Sequence, residues 1–320
     1  MRFLIVLSLS LLALSSSALA QAWPAKPIRL VVPYAAGGNS DVIARALSVP
    51  LAESLGQPVL IDNRAGASGI IGSDVVAKAA PDGYTLLMIS SGNLTTNPSL
   101  FDKLPYDTAR DFTPISNIAY TSYVLDVHPS LPVKSVQELI ALAKQKPRDI
   151  DAAIPGTGTG GHLALELFMD MTGARFTEVA YKGAAPALSD TIAGQTKVIM
   201  DALSTSLSHV RAGRVRAIGQ SGTARSPLLP DVPTIAEQGL PGYEYLVYNA
   251  LLGPPRMPPE IVQRLQAEIV KAGSHPLVKE RFAELGITMT ASTPEELARF
   301  TTAETDKWAR IIRAAGIKAQ

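Results

Sequence analysis

Three glycines, Gly156, Gly158 and Gly161, stand at G-x-G-x-x-G spacing between a strand-like run and a helix-like run. Glycine just ahead of a helix lets an anion approach the unpaired amide N–H groups of the first turn, where the helix dipole places about half a positive charge. A dinucleotide pyrophosphate uses such a loop, and so does a carboxylate; the spacing serves either. A second loop of the same form lies earlier, from Pro33 to Asp41, with Gly37 and Gly38 ahead of its helix. Neither loop contains Arg or Lys, so an anion there would be held by amides and hydroxyls. Thr157 and Thr159 add hydroxyl donors, and Tyr34 adds an apolar face with a polar tip. Two such loops, one in each half of the chain, would converge on one ligand if the halves faced each other across a cleft. The alternative for each is a plain tight turn between strand and helix.

Other chemistries find less support. A dinucleotide site needs an acidic residue ending the next strand, about 20 residues on. Glu178 is near that distance but precedes the apolar residues Val179 and Ala180. There is no G-x-S-x-G nucleophile elbow and no G-x-x-x-x-G-K-[ST] phosphate loop. The chain has no cysteine, which removes disulfides, thiol catalysis and iron–sulfur chemistry. His128, His162, His209 and His275 are scattered at no metal-like spacing. His162 alone sits beside a glycine loop, where packing or capping is the commoner role. The expectation is a protein that binds without cofactor or metal.

The elements that must position the loops alternate. Ile28 to Pro33 reads as a strand, and a helix follows from Val42 to Ser54 by its apolar periodicity. Asn39 or Ser40 can cap that helix, and Asp41 and Arg45 form an i,i+4 pair. A strand at 59–63, a helix at about 70–80 and a strand at 84–89 continue the alternation. This argues for α/β architecture with a mainly parallel, doubly wound sheet. Residues 112–127 form a long strand-like run. Ser135 and Glu138 then make a capping box for the next helix. Beyond the second glycine loop come strands at 178–181, 197–201 and 215–219 with helices at 185–193 and 204–212. Residues 225–233 are too rich in proline for regular structure. A strand-like run from Tyr243 to Leu252 and three helical segments, near 258–273, 275–285 and 294–314, close the chain.

The first residues and the charge narrow the setting. Arg2, an apolar run over residues 3–14 and Ala18-Leu19-Ala20 read as a secretory signal peptide, cleaved after Ala20. The run is short of the ~20 apolar residues that span a bilayer. Of 29 basic and 28 acidic side chains, removing Arg2 leaves 28 against 28, a formal charge near zero. Such a surface has no long-range pull on nucleic acid or an anionic membrane. An exported, cysteine-free chain of 320 residues fits a Gram-negative periplasm and two domains.

The segment Pro27-Ile28-Arg29-Leu30-Val31-Val32-Pro33 with Gly37-Gly38-x-x-Asp41 resembles the start of mature substrate-binding receptors of tripartite tricarboxylate transporters, the Bug receptors. Asn63-Arg64-x-Gly66, Pro81-Asp82-Gly83-Tyr84, Gly161-His162-Leu163-Ala164, Tyr181-Lys182-Gly183 and Arg225-Ser226-Pro227-Leu228-Leu229-Pro230 extend the resemblance in order, from about Trp23 to Gly316. It implies a periplasmic-binding-protein fold (type II-like) of two doubly wound α/β domains with a ligand cleft between them. Domain I would comprise residues 21–122 and 248–320, and domain II residues 123–247. It implies a monomer that captures a small carboxylate (a di- or tricarboxylate, an amino acid or an aromatic acid) by hinge closure, without enzymatic activity. It also implies delivery to a two-subunit membrane permease. An exported enzyme or a ligand sensor on the same fold are the alternatives. Carried onto this chain, the ligand-binding positions are Tyr34, Ala35, Ala36, Gly37, Gly38 and Asp41 in the first loop and Thr157, Gly158, Thr159, Gly160 and His162 in the second. Ser90, Ser91 and Gly92, in a turn after the third strand, join them, with Tyr181 and Asp201 at strand ends. Asp201 would partner a ligand amine or hydroxyl, or else cap the helix that follows; Asp41 reads as a structural cap, and Lys182 as a solvated lysine. The family often carries Thr-Ser-Ser or Thr-Ser-Gly where this chain has Thr159-Gly160-Gly161, so a side-chain donor at 160 is missing while the backbone donors remain.

Overall fold

The computed structural model describes residues 23–315, so the signal-peptide reading of residues 1–20 lies outside the described residues. The chain opens as read: β1 (Ile28–Val32), α1 (Asn39–Leu55), β2 (Val59–Asn63), α2 (Ile70–Ala77) and β3 (Thr85–Ser90). β1 pairs in parallel with both β2 and β3. Both faces of β1 and β3 are covered. Ile28, Leu30 and Val32 pack on Ile43, Leu47 and Leu51 of α1, while Val31, Leu87 and Ile89 pack on Val76 and Leu94 on the other side. Burial on both faces suits β-branched, near-continuous apolar strands.

A helix follows where the sequence suggested a turn. α3 (Ser91–Leu100) starts directly from β3 and holds Pro98 within it. β4 (Thr113–Val127) is 15 residues long and serves two partners in succession. Residues 113–122 pair antiparallel with β9 (Leu246–Gly253), and residues 123–127 pair antiparallel with β7 (Val198–Ala202). A strand nearly three times the usual length of 5–6 residues thus ties one half of the molecule to the other. Within the second half, Ser221 fastens the segments of the two crossings to each other. Its backbone N–H donates to Tyr123 O, its carbonyl accepts from Tyr245 N, and its hydroxyl accepts from Tyr123 N.

The second half repeats the αβα layering. α4 (Val136–Gln145), β5 (Asp151–Ile154), α5 (Gly160–Thr172), β6 (Thr177–Ala180), α6 (Ala184–Ile192), β7, α7 (Leu203–Arg211) and β8 (Arg216–Gln220) follow in order. β5 pairs in parallel with β6 and β7. Leu125, Ile154, Leu163, Phe168 and Met200 form its main core, and Ala153, Leu188 and Ile199 a smaller one on the opposite face. The sheet runs β2-β1-β3-β9-β4-β7-β5-β6. Its flanks are parallel as expected, but the strands at its centre are antiparallel, because β4 and β9 cross between the halves in opposite directions. Residues 225–233 carry neither helix nor strand.

Three helices return to the first half: α8 (Pro259–Ser274), α9 (Pro276–Leu285) and, after the two-residue strand β10 (Thr288–Met289), α10 (Pro294–Ala315). α10 straddles the junction. Leu297 is buried with the first half, while Trp308 and Ile312 are buried in the core of the second. The Trp308 ring rests against Tyr245, with centroids 5.4 Å apart. No helix among the described residues is long and apolar enough to cross a membrane.

Candidate functional site

The two glycine loops are built alike. In the first, Gly37 takes φ +84°, a left-handed value that glycine adopts without penalty. Its N–H donates to Asp41 Oδ2 at 2.9 Å, four residues on and in the first turn of α1. Asp41 also accepts from Asn63 Nδ2 at 3.0 Å and from Arg45 Nε at 2.9 Å. Burial pushes the Asp41 carboxyl up, but the bonds from Arg45, Gly37 and Asn63 outweigh it and hold the group below the usual carboxylate range. The cap residue of α1 is Gly38, not Asn39 or Ser40. Those two side chains are engaged elsewhere: Asn39 Oδ1 accepts from Ser204 Oγ at 2.7 Å, and Ser40 Oγ donates to Asn249 Oδ1 at 2.6 Å.

In the second loop Gly158 takes φ +74°, and its N–H donates to His162 Nδ1 at 2.8 Å, again four residues on. The His162 ring is buried, with Nε2 3.4 Å from both Glu166 Oε1 and Glu178 Oε1. Burial pulls the imidazole pKa down, but the two carboxylates outweigh it and carry it up to about 9. Two demands therefore meet on this ring. The carboxylates favour a second proton, whereas the Gly158 amide can bond only a neutral ring with a lone pair on Nδ1.

The three groups His162, Glu166 and Glu178 lie within 4.8 Å of one another, close enough to suggest a metal. The bond from Gly158 argues against it. A ring that accepts at Nδ1 carries its proton on Nε2, the nitrogen that would have to coordinate. Glu178, the acid nearest the dinucleotide spacing, is thus engaged with His162.

The loops border a cavity of about 50 Å³ where five helices begin. Gly38, Asn39 and Ser40 line it from α1, Ser90 from the cap of α3, Thr159, Gly160 and Gly161 from α5, Gly183 and Ala184 from α6, and Ala202 from the cap of α7. The first-turn N–H groups of a helix lack intrahelical partners. Five positive dipole ends therefore surround one small space, with Tyr34, Asn93, Tyr123, Pro155, Asp201 and Val247 completing its wall. No Lys, Arg or His among the described residues lines it. Ser90 Oγ and Asn39 Nδ2 are buried without a hydrogen-bond partner. The halves touch around the cavity. Thr96 Oγ1 lies 3.0 Å from Gly158 O, and a Cβ added to Gly183 would stand 3.1 Å from Ala35 Cβ.

Of the positions expected from sequence, Tyr34, Gly38, Ser90, Thr159, Gly160 and Asp201 line the cavity. Asp41, Gly158 and His162 are buried outside the cavity lining and Gly37 is exposed; the bonds Gly37–Asp41 and Gly158–His162 each brace one loop internally. Ala35 abuts Gly183, and Gly92 lies so near Gly160 that an added Cβ would be 2.9 Å from its amide nitrogen. Ser91 Oγ accepts from Tyr248 N at 3.3 Å. Tyr181 turns its hydroxyl to Asp190 Oδ2 at 2.8 Å. Ala36 is exposed, and Thr157 is partly exposed in the second loop. Sequence reasoning missed Asn93, Tyr123, Gly183, Ala184, Ala202 and Val247, and read Asn39 and Ser40 only as helix caps. Only Gly183 carried a local signal, as a glycine directly ahead of a helix.

A larger groove of about 740 Å³ lies between α3, residues 101–114 and α10. Among the described residues, Asp102, Asp107, Asp111 and Asp306 line it against one cation, Arg110, so it is the poorer place for an acid. A dinucleotide does not fit the smaller cavity, since sites for ligands of that size measure hundreds of Å³.

Comparison with known proteins agrees with this geometry. The sequence pattern described as "Tripartite tricarboxylate transporter family receptor" matches residues 43–317. The R. palustris protein Rpa4515, solved with adipate, is 38% identical, with TM-score 0.89 over 92% of this chain and 99% of that one. MatC (Rpa3494) from Rhodopseudomonas palustris, solved with bound malate, is 30% identical, with TM-score 0.87 over 91% of this chain and all of the other. The periplasmic binding protein BugD is 30% identical, with TM-score 0.90 over 93% of this chain and all of that one. The fold is that of the periplasmic binding proteins, two α/β domains about a cleft, and this chain belongs to the receptor family of the tripartite tricarboxylate transporters.

Proposed function

We propose that the protein captures a small organic carboxylate in the periplasm by closing its two domains and delivers it to a two-subunit membrane permease. The observation that carries this reading is the cavity wall: five helix amino ends and no cationic side chain among the described residues. Each charge-assisted amide bond contributes about 1.5–3 kcal/mol. Several of them give useful affinity while leaving the acid free to depart when the domains open. The domains follow the strand crossings, with residues 21–122 and 248–320 in one and 123–247 in the other. Export follows from the leader read at residues 1–20, and the protein binds its ligand without converting it.

Thermal unfolding of the mature protein with a panel of acids and their neutral amides tests the reading. A ligand that binds only the folded form raises the melting temperature, by an amount set by its concentration over Kd. Acids should raise it and the matching amides should not. Stabilisation by amides and acids alike would overturn the carboxylate reading, and turnover of the added acid would place the protein among enzymes.

A further inference from the structure

The cavity wall is unbalanced in its hydrogen-bonding groups. Donors are plentiful: five helix ends, the Ser90 hydroxyl and Asn39 Nδ2, the last two buried without partners. Acceptors are few, and most are taken. Asn39 Oδ1 accepts from Ser204, and Asn93 Oδ1 accepts from Tyr34 OH at 2.7 Å. Asp201 stands apart. It is 1% exposed, lines the cavity from the end of β7, and accepts from Thr205 Oγ1 at 2.6 Å through Oδ2. A carboxylate has about four acceptor sites, so capacity remains toward the cavity. Burial pushes the Asp201 pKa up to about 7, against the pull of Thr205 and the Ala202 amide. No Lys, Arg or His among the described residues lines the cavity to relieve it.

Above about pH 7, where Asp201 is ionised and can only accept, a ligand made only of acceptors would satisfy the helix ends and leave Asp201 facing another acid. A ligand that also carries a donor satisfies both sides. The cavity volume of about 50 Å³ keeps the two groups close.

We propose that Asp201 sets the ligand class, selecting short acids that bear a hydroxyl or ammonium donor on the carbon next to the carboxylate. This rests on the carboxylate reading of the same cavity. The helix ends take the acid group, and Asp201 takes the donor beside it. A buried acceptor left unpaired is costly, so an analogue lacking the donor is rejected.

Calorimetric titration of the mature protein at pH 8, where Asp201 is ionised, with matched pairs tests this: lactate against propionate, alanine against propionate, and malate against succinate. The hydroxy or amino member of a pair should bind at least about tenfold tighter, the usual worth of one hydrogen bond to a charged group. Asp201→Leu should bring the ratio close to one. Asp201→Asn, which keeps an uncharged acceptor, should retain the preference for lactate and lose that for alanine if the ammonium is read by charge. Circular dichroism and unfolding controls check each variant; if Asp201→Leu does not fold, the wild-type ratios and Asp201→Asn decide. Equal affinities within the wild-type pairs would overturn the role of Asp201 and leave the carboxylate reading standing. If no acid in the panel binds, both fall together.

Discussion

The two glycine loops place the same bond in the same position and make it from different chemistry. In each, a left-handed glycine donates its N–H to a side chain four residues on, in the first turn of the following helix. In the first loop the acceptor is Asp41, in the second His162. A carboxylate accepts over the whole neutral range; an imidazole accepts at Nδ1 only while that nitrogen is unprotonated. The first loop is a fixed support, whereas the second is tied to a group whose proton two glutamates compete for. One loop is therefore indifferent to pH near neutrality, and the other responds to it.

The largest effect should come from the glycines themselves. At Gly158 the left-handed backbone costs an alanine about 1–2 kcal/mol. The added Cβ would also clash with Leu100 Cδ1, which adds overpacking of about 1–3 kcal/mol. At Gly37 the backbone cost is similar, but the nearest atom to an added Cβ is Ala185 Cβ at 3.6 Å. Gly158→Ala should therefore lose more stability in urea unfolding than Gly37→Ala. Equal losses would mean that the Leu100 contact gives way freely and the loops differ only in their acceptors.

Next come the acceptors. Asp41→Ala strands the Gly37 and Asn63 donors and should cost about 1–3 kcal/mol. His162→Asn places a carbonyl oxygen near the position of Nδ1 and preserves the bond from Gly158. It should weaken acid binding less than Asp41→Ala, as read by calorimetry. A larger loss for His162→Asn would show that the ring acts through Glu166 and Glu178 and not through the loop.

How far the sequence discloses this arrangement depends on the kind of signal each part leaves. Both loops are legible because left-handed turns are written in glycine, and the flanking strands are legible as β-branched runs. The α3 helix is not. Ser91 to Asn97 are all buried, so no amphipathic stripe exists, and Ser-Gly-Asn-Leu-Thr-Thr-Asn-Pro offers one strong helix former, Leu94. Its threonines bond back to their own helix, Thr95 to Ser91 O at 2.8 Å and Thr96 to Gly92 O at 2.7 Å, and packing supplies the rest. The antiparallel centre of the sheet is equally silent, because strand direction is not encoded in strand composition. The meeting of α6 and α7 with the loops is tertiary, and Ala202 at the start of α7 is an ordinary residue until the fold brings it there.

A pH series tests the contrast directly. The folded-state pKa of His162 is raised from about 6.5 to about 9, so its ion-pair contribution is fully present below about 6.5 and lost as pH rises through 9. Asp41 has a lowered pKa, so its contribution is present above about 3.9 and lost only as pH falls below that. Between pH 6.5 and 9.5 the stability difference between wild type and His162→Asn should shrink. The difference between wild type and Asp41→Asn should stay level over the same interval. Parallel curves for the two pairs would remove the distinction between the loops.

The smallest effect is expected at Arg45, whose side chain is 55% exposed while its partner Asp41 is 3% exposed. An exposed cation facing a buried acid gains little, because water and salt screen one end of the pair. Asp41 would still hold Gly37 and Asn63 after Arg45→Ala, and those buried bonds orient the loop. The expected loss is below about 1 kcal/mol and should fade as salt is raised from 50 to 500 mM, since such pairs are screened. A loss that matches Asp41→Ala and persists in high salt would mean that the guanidinium fixes the first loop from outside. The first loop would then depend on a surface ion pair, and the second, held inside by His162, would be the more rigid of the two.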